Sequence, residues 1–394
     1  MSVVLGALLV GAAATPAHAD TVRERQWHLD AMQAEEMWKT STGRGVTVAV
    51  IDTGVNDSVE DLKGQVLPGL DLSKLPGGVS ADYDHHGTTM AALIAGTGRR
   101  QGGDGSFGLA PGVKILPIRL PKLDEGTKLG ANLALNNKAM SEGIRYAADH
   151  NAKVINISQG VTEGSDEVTA AVSYALGKGA LVFASVGNSG DKGNRVEYPG
   201  ATPGVVGVAA VDKKIEATKE SEHGPQVDLA APGEEVVSAC DGGTEICSGH
   251  GTSAASALAS ASAALIWSKY PQWTNNQVLR VMLNTAGGPK NGDKRSDYIG
   301  YGVVRPRIAL KTPGDPGPAN EWPLPDLAAA NSPSPQASTS PSASPSGKPA
   351  PATAASDSGS GGGSNTGLWV GVGAAGIVVA AVAVLLVRSR RRTA

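Results

Sequence analysis

The tripeptide His-Gly-Thr occurs twice, at 86–88 within DHHGTTMAALIAG and at 250–252 within SGHGTSAA, where it runs directly into Ser253. A serine hydroxyl is a weak nucleophile at its own pKa. It needs a base within hydrogen-bond reach, and the base needs an acid to orient it. Donors must also wait where negative charge will develop on the attacked carbonyl. Four residues have suitable types in suitable settings. Asp52 ends the apolar run VTVAVI (46–51), and His86 opens an apolar helical run. Asn188 follows ALVFAS (180–185) and offers an amide NH2, and Ser253 opens a stretch of small residues. From residue types alone, either His-Gly-Thr copy is a candidate for the base.

Something must hold these groups rigidly. VTVAVI (46–51), VKILPI (113–118), KVINIS (153–158), ALVFAS (180–185) and VVGVAA (205–210) read as short buried strands. Between them, AALIAG after His86, Ala131 to Asn151 and Asp166 to Lys178 have the lengths of crossover helices. That alternation predicts an α/β fold, a parallel sheet with helices on both faces. A long helix is expected from Thr252 to just before Pro271, and a last one after Thr274 as N-cap. In an open parallel sheet, sites form at the carboxyl ends of the strands. Attention therefore falls on Asp52-Thr53-Gly54, Ser158-Gln159-Gly160 and Val186-Gly187-Asn188. Ser253, at a helix start, would meet unpaired N–H groups and the positive end of the helix dipole.

Four blocks, VIDTGV, HGTTMA, ASVGNSG and GTSAAS, resemble the signature blocks of the subtilisin-like serine peptidases, in that family's Asp, His, Ser order. The resemblance spans about 220 residues and is specific because each block follows the right kind of element. It implies that Asp52 orients His86, that His86 is the general base and that Ser253 is the nucleophile. It implies an oxyanion hole from Asn188 and the Ser253 backbone N–H. Ser158, Gln159 and Gly160 match the strand that pairs with a polypeptide substrate. The chain departs from the family in having Gln159 where an apolar residue is common, Ala257 for a helix proline, and Met90-Ala91 after the histidine block. None of these removes a catalytic group. His250 is then a turn or cap residue at the rim of the cleft, and His28, His150 and His223 are surface residues.

Rival chemistries fit less well. An aspartic peptidase also uses a strand-ending Asp-Thr-Gly but needs two such carboxylates, and the nearest second copy, Asp357-Ser358-Gly359, falls in a low-complexity stretch. His85 and His86 beside Asp82 and Asp84 lack the helical spacing of metal ligands, so those acids read as a surface turn. No metal and no cofactor are called for. Cys240 and Cys247 flank CDGGTEIC just before Ser253 and are expected to form a disulfide outside the cell.

The chain ends bear on the compartment. Residues 3–14 are apolar and lead to Ala17-His18-Ala19, a signal-peptidase pattern, so 1–19 is read as a signal peptide. Residues 20–45 form an N-terminal extension with Trp27 and Trp38 as anchors, and 46–312 form the peptidase domain. A Pro/Ala/Ser/Gly-rich stretch, 313–366, reads as a disordered tether. Residues 368–387 are uncharged and long enough to span a bilayer. The arginine-rich tail 388–394 places the C-terminus in the cytoplasm and the catalytic domain outside. Hydrophobic residues at 41% allow a sizeable core, and a net charge of −3 argues against nucleic acid as a partner.

This plan, together with QWHLDAMQAEEMWKTSTGRGVTVAVIDTGV, resembles the mycosins, the membrane-anchored proteases of type VII secretion. The resemblance implies a type VII secretion complex as partner. A catalytically weak scaffold held at the membrane is the alternative reading, and a cell-wall adhesin a weaker one.

Overall fold

The computed structural model describes residues 20–100, 102–123, 129–240 and 245–330. The expected signal segment, the later part of the tether, the 368–387 span and the basic tail lie outside the described residues. No helix among the described residues is long and apolar enough to cross a membrane.

Three short helices open the chain: α1 (Val22–Arg25), α2 (Trp27–Met32) and α3 (Ala34–Trp38). Next come β1 (Thr47–Asp52), β2 (Leu70–Asp71), α4 (His86–Ala95), β3 (Lys114–Arg119) and α5 (Leu129–Asp149). They are followed by β4 (Val154–Ile157), α6 (Asp166–Gly177), β5 (Leu181–Ser185), β6 (Val205–Val211) and β7 (Leu229–Pro232). A two-stranded antiparallel ribbon, β8 (Val236–Ala239) and β9 (Ile246–Gly249), leads into α7 (Thr252–Lys269). The helices α8 (Asn275–Thr285), α9 (Pro306–Lys311) and α10 (Asp326–Ala330) close the described chain.

Seven strands form one sheet in the order β2-β3-β1-β4-β5-β6-β7, and every neighbouring pair is parallel. The strands are continuous apolar runs because both faces are covered. On one face α4, α7, α8 and α9 share a core with Val48, Val50, Phe183 and Val208. On the other, α5 and α6 pack on Ala49, Ile51, Ile155 and Ile157. The helix α7 lies deep in the first of these cores. It has Ala or Ser at 12 of its 18 positions, TSAASALASASAALIWSK, and almost every side chain is buried. Small side chains let a helix approach the sheet closely on all its faces. It begins at Thr252 and ends before Pro271, as the sequence predicts. Thr274 caps α8 through a reciprocal capping box with Gln277.

The N-terminal extension belongs to the body of the domain. Leu29, Met32, Ala34 and Met37 are buried in the α4/α7 core. Trp27 Nε1 donates to the Glu234 and Glu235 carbonyls, and Trp38 Nε1 donates to Leu109 O at 2.9 Å, so both tryptophans anchor as expected. Its histidine is a correction: His28 is fully buried rather than on the surface, neither ring nitrogen has a hydrogen-bond partner, and burial lowers its pKa to about 3.

The tether also starts later than the composition suggests. Residues 313–330 pack on α8: the Arg280 guanidinium donates to the Pro316, Pro318 and Glu321 carbonyls, and Thr274 Oγ1 and Asn276 Nδ2 donate to Ala319 O. Leu324 is buried. The proline-rich part before α10 has no regular structure of its own, and it is fixed because side chains satisfy its carbonyls.

Candidate active site

The carboxyl end of β1 places Asp52 in the interior, with no exposed surface. Its Oδ1 accepts from Thr53 N at 2.8 Å and from Gln159 Nε2 at 3.3 Å, and lies 2.8 Å from His86 Nδ1. The anionic Oδ1 fixes the tautomer, with the proton on Nδ1 and the lone pair on Nε2. Burial pulls the imidazole pKa down. The Asp52 charge and hydrogen bond, with help from Asp82 and Asp84, outweigh that and leave it raised to about 8.

His86 is aimed by the way α4 joins β1. The Gly87 N–H donates to Thr53 Oγ1, and Thr53 Oγ1 donates to Asp82 Oδ1 at 2.6 Å. The other oxygen of Asp82 accepts from Thr88 N and Thr88 Oγ1 at 2.8 and 2.7 Å. Asp82 therefore caps the first turn of α4 from outside the helix, where its charge also suits the dipole. It is not the surface turn the sequence suggests. Gly87 allows the close approach: a Cβ there would lie 2.1 Å from Gly54 O.

Ser253 is the second residue of α7. Its Oγ donates to Ser158 O at 3.2 Å, and Ser158 Oγ donates to Ser253 O at 3.1 Å. Beneath them, Asn156 Nδ2 donates to Ser158 Oγ, while Asn156 Oδ1 accepts from Ser256 Oγ and Ser260 Oγ. This buried chain of hydrogen bonds ties the end of β4 to the start of α7. No residue pattern in the sequence singles out Asn156, because a polar residue inside a strand carries no periodic signal.

Asn188, after β5, caps α7. Its Oδ1 accepts from Thr252 N at 2.9 Å and from Thr252 Oγ1 at 3.1 Å. Asn188 is exposed, and with its amide oxygen occupied by two donors the NH2 group remains to donate. Gly251, the N-cap of α7, has φ +118°, which glycine adopts without strain.

Asp52, His86 and Gln159 thus share one hydrogen-bonded group, and Ser158 and Ser253 share another. Asn188 is joined to Thr252, next to Ser253, and Gly160 follows in the segment after β4. His250 stands apart, with Nδ1 2.8 Å from Glu220 Oε1. Cys240 and Cys247 are bonded to each other across the β8–β9 ribbon. The one cluster of potential metal-ligating side chains among the described residues is Cys240, Glu245 and Cys247, and the disulfide consumes both of its thiols.

Known proteins agree with this architecture. The model of the subtilase family matches residues 43–302. Fervidolysin of Fervidobacterium pennivorans is 31% identical over 321 residues, 75% of this chain but 45% of its own length. Mycosin-1 of Mycolicibacterium smegmatis is 31% identical over 349 residues, 77% of this chain and 74% of that protein. Among solved structures, MycP1 from the ESX-1 type VII secretion system aligns with a TM-score of 0.66 at 30% identity, over 78% of this chain and 90% of that one. A chain of the periplasmic assembly from the ESX-5 inner membrane complex aligns at 0.64 and 29% identity, over 79% and 89%. The family match, the parallel sheet and the relatives' identity together place the protein: the chain belongs to the subtilase family of serine peptidases.

Proposed function

We propose that the protein is a membrane-anchored serine endopeptidase of the mycosin type, acting outside the cytoplasm in a type VII secretion complex. The observation that carries the catalytic reading is the buried Asp52 carboxylate held 2.8 Å from His86 Nδ1 at the end of a central strand. A substrate strand lies along Ser158, Gln159 and Gly160. The Ser253 hydroxyl leaves the Ser158 carbonyl, gives its proton to His86 Nε2 and attacks the scissile carbonyl carbon. Asn188 Nδ2 and the Ser253 N–H receive the oxyanion. The imidazolium, held by Asp52, protonates the leaving amine, and water then hydrolyses the acyl-enzyme by the same route in reverse order.

The anchor rests on the apolar run 368–387 and the arginines after it. The secretion role rests on likeness to mycosin-1 and to the ESX-1 and ESX-5 proteins. One observation favours the scaffold alternative: the Ser253 hydroxyl bonds to Ser158 O, not to the imidazole. A fluorophosphonate probe decides between them, because it labels only an activated serine. The full-length protein in detergent is expected to label, and Ser253→Ala is not. An unlabelled but folded wild type overturns the peptidase reading.

A further inference from the structure

Two acidic side chains beside the cleft take no part in that chemistry. Glu222, in the loop between β6 and β7, is completely buried. Its Oε1 accepts from Ser189 Oγ at 2.6 Å, whereas Oε2 has no hydrogen-bond partner. A Cβ placed on Gly187 would lie 2.4 Å from the Glu222 carboxyl carbon, so the carboxylate backs directly onto the residue before Asn188. Glu197, in the loop between β5 and β6, is half-buried, and a Cβ on Gly160 would lie 2.5 Å from its Oε2. Among the described residues its side chain makes no hydrogen bond and no ion pair.

The position of these groups follows from the sheet. Strands β4 and β5 are parallel neighbours, so the segments leaving them, 158–160 and 186–188, stand side by side. The Glu197 loop is locked beneath the first segment by paired backbone hydrogen bonds between Val161 and Tyr198, at 2.8 and 2.7 Å. Glu197 thus underlies the Gly160 side and Glu222 the Gly187 side. Burial, and then the Glu222 charge, push the Glu197 pKa up to about 7; Arg195, exposed and without an ion pair among the described residues, opposes this only in part.

Take a substrate strand along 158–160 with its scissile carbonyl at Ser253 and its oxygen on Asn188 Nδ2. The residue that supplies that carbonyl has its Cα over the gap between the two segments. Side chains alternate along an extended strand, and the one at this residue has the gap to enter. There it meets the half-buried Glu197, with the buried Glu222 carboxylate behind Gly187. An apolar side chain would strip water from the half-buried Glu197 carboxylate, which has no ion-pair partner among the described residues, and that is costly. A guanidinium or ammonium group supplies the missing donors and charge.

We infer that this gap is a specificity pocket for a lysine or arginine side chain at the residue contributing the scissile carbonyl, with Glu197 as the group that selects it and the buried Glu222 adding negative charge behind it. The inference rests on Ser253 being the nucleophile.

The test uses two fluorogenic peptides that differ only at that residue, one carrying arginine and the other citrulline, which keeps the shape and loses the charge. The full-length protein in detergent is expected to favour arginine by about 100-fold in kcat/KM. Glu197→Gln is expected to bring the two within about threefold while still labelling with the fluorophosphonate probe, which also reports that the variant is folded. Wild-type protein that cleaves both peptides within about threefold overturns the inference and leaves the peptidase reading intact. Loss of labelling in the wild type overturns both together.

Discussion

The two His-Gly-Thr copies present the same three residues at the entrances of two helices, α4 and α7, with different outcomes. In both, the threonine does the same work. Thr88 gives its N–H and hydroxyl to Asp82, and Thr252 gives its N–H and hydroxyl to Asn188. Thr88 is thereby pinned to a side chain of the loop entering α4 and Thr252 to one from the loop after β5, and each glycine lets the chain turn or approach closely. The histidines differ in register. His86 is the first residue of α4, whereas His250 lies two residues before the start of α7. The partners differ more. The His86 side chain is 28% exposed and faces an Asp52 that is 0% exposed, while that of His250 is 71% exposed and faces a Glu220 at 23%. A surface pair of the second kind contributes little because water screens it. The comparison separates a shared structural device, Gly-Thr, from chemistry that arises only where a buried strand-end carboxylate meets the ring.

The largest effect that this contrast predicts is on the His86 side. His86→Ala is expected to lower kcat by on the order of 10⁵-fold or more, close to the loss from Ser253→Ala, because base and nucleophile act as a unit. Combining the two substitutions is expected to cost little beyond either alone, and peptide-hydrolysis assays of the two single variants and the double variant check this. Activity of His86→Ala within tenfold of wild type would break the assignment of the base.

A second prediction concerns the carboxylate. Asp52→Asn keeps the shape but allows the wrong tautomer, and about 10⁴-fold in kcat is the expected cost. It also carries a pH signature. In the proposed role His86 must be neutral to accept the serine proton, and its pKa is raised to about 8. In the wild type, kcat/KM is therefore expected to fall about tenfold per pH unit below about 8 and to level off above it. In Asp52→Asn the Asp52 charge is gone while burial still disfavours the imidazolium, so the inflection is expected to move to lower pH. An unchanged inflection in the residual activity would mean that another group titrates.

Much of this arrangement was legible in the residues themselves. Five strands, β1, β3, β4, β5 and β6, announce themselves as apolar runs, and three of them, β1, β4 and β5, lead at or just after their carboxyl ends into Asp52, Ser158-Gln159-Gly160 and Asn188. The bounds of α7 follow from small residues between Gly251 and Pro271. Other elements gave no such signal: β2 has two residues, and β7, β8 and β9 read LAAP, VVSA and ICSG, which interrupt any apolar run with small, polar or proline residues. His28 was misplaced because nothing local distinguishes a histidine buried by distant packing from one on the surface. Residues 313–330 were assigned to the tether because their composition is that of a linker, while their anchors, Arg280 and Thr274, lie some 40 residues earlier. Glu197 and Glu222 went unremarked for a similar reason, since only the folded sheet brings them beneath Gly160 and Gly187.

The smallest predicted effect sharpens the comparison most. His250 lies three residues from Ser253, the proposed nucleophile, closer in sequence than His86, so sequence proximity alone would favour it as the base. The fold spends that proximity on a turn: the Gly251 N–H donates to Gly233 O at 2.7 Å, and the ring points to Glu220. His250→Ala removes an exposed ion-pair partner and leaves Gly251, Thr252 and the Asn188 cap in place. It is expected to change kcat/KM by less than about twofold and stability by less than about 1 kcal/mol. Thr252→Val, in the same tripeptide, removes only the hydroxyl that bonds Asn188 Oδ1 and Gly187 N, loosening the donor next to Ser253. Its expected cost is about tenfold in kcat with KM little changed. If His250→Ala costs more than Thr252→Val in a side-by-side kinetic measurement, the histidine rather than the threonine carries the function of the second copy, and the division of labour drawn between the two tripeptides is wrong.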